Sequence, residues 1–140
     1  MCSSDLLVDR ITEFEEDKRI VGIKNISNND RYLWPAPDGR LIIPPTILTE
    51  AVAQVGAILI LAKPENKERL PLFAGIQKVR YRRPVYAGDV VEIEATVIRL
   101  RNRMWLLRGI ARVNGTRVID GTMTFALAAP QETDAAKANA

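Results

Sequence analysis

Glu50 and Gln54 are the two side chains whose setting most favours chemistry. Residues 41–62 read LIIPPTILTEAVAQVGAILILA, where Thr46, Thr49, Glu50 and Gln54 are the only polar side chains and Glu50 is the single charge. Helical positions four apart share a face, so Gln54 lies one turn beyond Glu50. A carboxylate in an apolar setting is a candidate base or nucleophile. The competing role is structural, because an anion near the start of a helix is favoured by the helix dipole and accepts hydrogen bonds there. For Gln54 the plainer expectation is a hydrogen bond to Glu50 or to a loop carbonyl.

The remaining titratable groups narrow the chemistry. The 140 residues contain no histidine. The usual neutral-pH acid–base group and the usual imidazole metal ligand are therefore missing. No EF-hand spacing occurs, so neither a metal nor a cofactor is expected. Asp38, in a proline- and glycine-bearing stretch before the helix, is one more candidate base. The cations Lys78, Arg80, Arg82 and Arg83 are followed by Arg99, Arg101 and Arg103. They form either a solvated strand face or a docking surface for an anionic partner. With 20 Lys and Arg against 17 Asp and Glu, the net charge of +3 is too even to expect nucleic-acid binding.

The elements that must position these groups follow from pattern. Prolines 44 and 45 suit a helix entry, and Pro64 stops the run, which predicts a helix over about 45–62. Its composition lacks the broad charged stripe of a surface helix, so burial is expected, with one carboxylate held near its start. Residues 18–27, KRIVGIKNIS, read as a strand, and residues 31–40, RYLWPAPDGR, as a loop. After residue 71 the pattern is β: strands over 72–83, 90–101, 104–113 and 117–129, with Asn114-Gly115 as a hairpin signal. In residues 78–82, alternation sets Lys78, Arg80 and Arg82 on one face and Val79 and Tyr81 on the other. The expected order is strand, buried helix, then four strands in an antiparallel meander.

A helix this apolar needs a sheet around it, which gives an α+β hot-dog fold: about five to six antiparallel strands around one long helix. The expected domain spans residues 1–129, with a flexible tail over 130–140. A single chain leaves a sheet edge and apolar surface uncovered, so at least a dimer is expected. The lone Cys2 fits a reducing compartment. The opening MCSSDLLVDR lacks signal-peptide features, and the run over 55–62 is too short to span a membrane. A cytoplasmic location is expected.

Several motifs, taken together, carry a resemblance. They are Leu7-Val8-Asp9-Arg10, Lys18-Arg19-Ile20-Val21 with Lys24-Asn25, Pro44, Glu50-Ala51 with Ala53-Gln54, Phe73-Ala74-Gly75-Ile76, Arg82-Arg83-Pro84-Val85 and Gly88-Asp89. Over residues 6–128 the chain resembles the β-hydroxyacyl-(acyl carrier protein) dehydratases of bacterial fatty acid synthesis. The resemblance implies a site built from a loop histidine of one subunit and a helix glutamate of the other, here Glu50 supported by Gln54. It implies an acyl thioester on an acyl carrier protein as substrate. It assigns Tyr32, Trp34, Ile42, Pro45, Thr46 and Phe73 to the acyl pocket, with Ile47, Ile76 and Tyr86 as pocket or core groups. It makes Lys78, Arg80, Arg82 and Arg83 a carrier-docking surface.

Two positions depart from that pattern. Aligned back from Glu50 without gaps, Ala36 stands where the histidine belongs, and Pro45 stands where a glycine N–H would bind the thioester oxygen. Alanine can neither take nor give a proton. Proline has no N–H, and such a donor contributes roughly 3 kcal/mol in a transition state. The expected function is therefore acyl-thioester binding without ordinary dehydratase activity by the chain alone. The alternatives are a thioesterase using Glu50 and the non-catalytic subunit of a heteromer with an active paralogue.

Overall fold

The computed structural model describes residues 7–63 and 71–127, with side chains described for all of these except 71–74. The elements in order are β1 (Arg10–Glu15), β2 (Arg19–Asn25), β3 (Trp34–Pro35), β4 (Leu41–Ile42), α1 (Pro45–Leu61), β5 (Pro71–Tyr81), β6 (Val90–Arg101), β7 (Met104–Val113) and β8 (Thr116–Leu127). Six strands form one antiparallel sheet in the order β1-β2-β6-β7-β8-β5, and α1 packs across it. This is the expected α+β arrangement of one helix against an antiparallel sheet.

Helix α1 begins where the prolines permit. Pro44 precedes it and Pro45 is its first residue, so two missing N–H groups fall where no intrahelical acceptor exists. The N–H groups of Ile47 and Leu48 both donate to the Pro44 carbonyl. Leu48, Val55, Leu59 and Ile60 face the sheet and are almost wholly buried. Each such side chain contributes about 1.5–3 kcal/mol relative to exposure. The sheet answers with Ile93, Ala95, Leu107, Ala111, Met123 and Phe125.

Glycine lets the helix approach. A Cβ at Gly109 of β7 would lie 2.4 Å from Val52 Cγ1 and 3.0 Å from Met123 Cε. Gly109→Ala must therefore displace the Val52 side chain or the helix that carries it. Overpacking of this kind costs about 1–3 kcal/mol, so chemical denaturation should show a loss in that range with an unchanged m-value. A loss under about 0.5 kcal/mol would contradict this packing.

Three features differ from the sequence expectation. First, the meander covers only β6, β7 and β8; β5 pairs with β8 at the far edge. The helix connection carries β5 across the sheet, and local pattern does not reveal a nonlocal partner. Second, β1 is an added edge strand, exposed at every position, so it shows no buried period. Third, the loop over 31–40 contributes to a small ribbon, with Trp34 paired to Ile42 and Pro35 to Leu41. The tail over 130–140 lies outside the described residues.

Candidate functional site

The helix is not wrapped on all sides. Thr46 and Glu50 are exposed, and Ala53, Gln54 and Ala57 are half-buried along the same face. With Thr49, Ile76 and Phe125 they line an open apolar groove between α1 and the β5–β8 edge. The expectation of a buried carboxylate is corrected: in the single chain Glu50 stands at the groove surface. Its residue pattern looked buried because this face carries alanines and threonines rather than charges. Among the described residues lining the groove, Glu50 is the only titratable side chain.

Gln54 is an anchor. Its Oε1 accepts a hydrogen bond from the Leu7 N–H at 2.9 Å. Lys24, buried on β2, donates from Nζ to the Leu7 carbonyl at 2.8 Å. Asp9 Oδ2 then accepts from the Asn25 N–H and side-chain amide. The segment before β1 is thereby tied to both the helix and the sheet. Lys24 inside the apolar run IVGIKNI was the sequence signal for this clamp, since a buried ammonium demands an acceptor.

At the start of the helix Thr49 Oγ1 donates to the Pro45 carbonyl at 2.7 Å. Among the described residues no acceptor meets the Thr46 N–H. With Pro45 lacking a hydrogen, Thr46 offers the first free backbone donor of α1.

The loop residues gather elsewhere. Ala36 sits in the β3–β4 turn, where its N–H donates to the Arg40 carbonyl and its carbonyl accepts from Gly39. Asp38 is exposed, and its Oδ1 accepts from the Arg40 N–H at 3.0 Å, so the turn itself uses this carboxylate. Trp34 is exposed, Ile42 and Pro45 are half-buried, and none of these three lines the Glu50 groove. Tyr32 borders a separate concavity beside Leu7, Lys24 and Asp30, with the Arg31 guanidinium 5.8 Å from its ring centre. Arg40 stacks 3.4 Å over the Tyr86 ring, and a bridge from Ile42 to Tyr86 fastens the ribbon to the main body. Ile47 packs against the core. The Phe73 side chain lies outside the described residues; its backbone pairs with Phe125. Of the expected pocket groups, one chain brings Thr46, Glu50, Gln54 and Ile76 together and leaves Tyr32, Trp34 and Ile42 apart.

The basic strand is not uniform. Arg82 Nε pairs with the nearly buried Asp120 carboxylate. Lys78 and Arg80 join Arg82 and Arg108 around one concavity, while Arg83 is exposed outside it. Arg108 had no place in the sequence pattern, because it comes from β7.

A second charged cluster crosses β1, β2, β6 and β7. Arg19 bonds Glu13 and Glu94, and Arg112 bonds Glu94 from the other side. Burial pushes the Glu94 carboxyl up, but the hydrogen bonds from Arg19 and Arg112 outweigh it, so its pKa is lowered. A carboxyl lowered in the folded state stabilises the fold above its unfolded pKa, and this stabilisation fades as pH falls through the folded value. Thermal midpoints should therefore drop between about pH 5 and pH 3 by more in the wild type than in Glu94→Gln. Parallel profiles would remove Glu94 from the acid response.

Residues 5–122 match the model of the FabA-like domain. The chain belongs to the FabA-like family. Among relatives of this FabA-like chain, 3-hydroxyacyl-[acyl-carrier-protein] dehydratase FabZ of Bacillus velezensis is 42% identical over 87% of this chain and 86% of that protein. The FabZ of Caldicellulosiruptor saccharolyticus is 43% identical, covering 87% of each. The FabA-like fold also superposes on the dehydratase heterocomplex ApeI:P of Xenorhabdus doucetiae. That match has a TM-score of 0.76 at 18% identity, over 95% of this chain and 90% of the other. A hypothetical thioesterase of Streptococcus pneumoniae, solved with coenzyme A, gives 0.67 at 12% identity, over 85% and 84%. At such identities these structures speak for the hot-dog fold. The family match and the FabZ relatives establish the resemblance drawn from the motifs.

Proposed function

We propose that this FabA-like chain binds acyl thioesters on an acyl carrier protein, in fatty acid or a related lipid or polyketide synthesis, and lacks ordinary dehydratase activity by itself. One observation carries the reading: Glu50 is the only titratable group lining the groove among the described residues. Dehydrating a 3-hydroxyacyl thioester needs a base at C2 and an acid at the departing hydroxyl. A single carboxylate, in a chain with no histidine, does not supply both in the expected way. The Thr46 N–H is the donor left for a thioester oxygen after Pro45.

The chain serves best as one half of a cytoplasmic dimer or larger heteromer, lending Glu50 to a histidine-bearing paralogue. The FabZ dehydratases among its relatives support the acyl-carrier substrate, and the Xenorhabdus dehydratase heterocomplex supports pairing with a second chain. Lys78, Arg80, Arg82 and Arg83 give an acidic carrier protein a surface to meet.

A second reading follows from the exposure of Glu50 and the thioesterase name of one fold neighbour. There Glu50 would act as base or nucleophile on the thioester carbonyl. The test offers the purified chain both acyl and 3-hydroxyacyl thioesters on carrier protein. Saturable binding with neither enoyl product nor free thiol supports the first reading. Thiol release abolished by Glu50→Gln establishes the second, and enoyl product from the chain alone overturns the first.

A further inference from the structure

The extra residue in β5 decides where its cations point. Gln77 pairs with Thr122 and Arg80 with Asp120, so three steps on β5 match two on β8. Lys78 takes a left-handed conformation, φ 53°, at this bulge. Ile76 lines the groove beside α1. In a regular strand Gln77 would then face away from the helix, and Arg80 would fall on the helix side. The bulge reverses that parity. Val79 turns in against Gly121, where a Cβ would lie 3.2 Å from Val79 Cα. Lys78, Arg80 and Arg82 consequently share the face away from α1.

Arg108 joins them from β7. Its neighbour Gly109 faces α1, so Arg108 faces outward, directly across from Thr122. The concavity is lined by these four cations with Asp120, Gly121 and Thr122. Asp120, the one carboxylate, is already engaged by Arg82. Among the described residues Lys78, Arg80 and Arg108 enter no ion pair. Such clustering of like charge is unfavourable unless an anion completes it. Guanidinium forks match phosphate oxygens, and the lysine adds a point charge.

We infer that this pocket on the outer face of the sheet binds a phosphate-class dianion. The inference goes beyond carrier docking and does not rest on the groove, which opens on the opposite face.

The test is calorimetric titration of the full chain with sodium pyrophosphate at fixed ionic strength. The expected result is saturable binding at one site, weakened at least about tenfold in Arg80→Gln and in Arg108→Gln. Arg99→Gln, a cation outside the pocket, should leave affinity unchanged, and circular dichroism confirms that each variant folds. Absent binding, or equal affinity in all three variants, overturns the inference and leaves the groove reading standing. Coenzyme A then separates the sources. Displacement of pyrophosphate assigns the site to the phosphates of an acyl carrier group, and retention assigns it to the free anion, each supporting a phosphate site.

Discussion

Ala36→His combined with Pro45→Gly is expected to raise enoyl production from a 3-hydroxyacyl thioester by at least about 100-fold over the wild-type chain. A positioned acid–base group contributes about 10²–10⁴ in rate, and one oxyanion donor about 10²–10³. The lower bound allows for imperfect placement. The turn around Ala36 is held by backbone bonds to Gly39 and Arg40, so the substitution leaves its frame intact. The Pro45→Gly change supplies the missing N–H at the first helical position, at an entropic cost of about 0.5–1 kcal/mol. Ala36 does not line the groove of its own chain, so the gain is expected only if a second copy brings the new histidine to that groove. A steady-state assay of enoyl absorbance checks this. No gain in a folded double variant would contradict the roles proposed for positions 36 and 45.

In sedimentation velocity the wild-type chain is expected to sediment as a dimer or larger at micromolar concentration, and Ala57→Arg as a monomer. Ala57 is half-buried on the open face of α1, next to Ala53 and opposite Ile76 and Phe125. β5 runs beside that face as an edge of the sheet, so its outer hydrogen-bonding groups are open. A second chain laid over this face would cover both the apolar groove and the strand edge. An arginine there leaves a charge without a partner in a dry contact, costing about 2–4 kcal/mol or roughly 30- to 1000-fold in affinity. The monomer itself should keep its circular dichroism, because the site is half-open in the single chain. An unchanged sedimentation coefficient would place the interface elsewhere.

The parts of the fold that were legible share a physical reason. Helix α1 is bracketed by prolines and apolar throughout, and β6 and β7 alternate against one core face, so both local pattern and packing point the same way. β5 was readable as a strand but not as the partner of β8, because pairing across the sheet leaves no local trace. The bulge at Lys78 was equally invisible: alternating cations look the same whether or not parity is reset in front of them. At the site, Glu50 stood out by being the only charge in its run. Its exposure did not, because alanine and threonine suit both a buried face and a face waiting for another chain. Gln54 proved to be tied to the Leu7 backbone, a contact 47 positions away in sequence. Arg108 joins the cation pocket only once β7 and β8 are in register.

Glu50 is proposed to belong to an active site completed by another chain. The most direct measurement is enoyl formation by an equimolar mixture of this chain with a histidine-bearing FabA-like paralogue whose own helix glutamate is replaced by glutamine. Product is expected from the mixture, with none from either component alone and none when Glu50→Gln replaces the wild-type chain in the mixture. Product from the mixture that survives Glu50→Gln would contradict this role for Glu50.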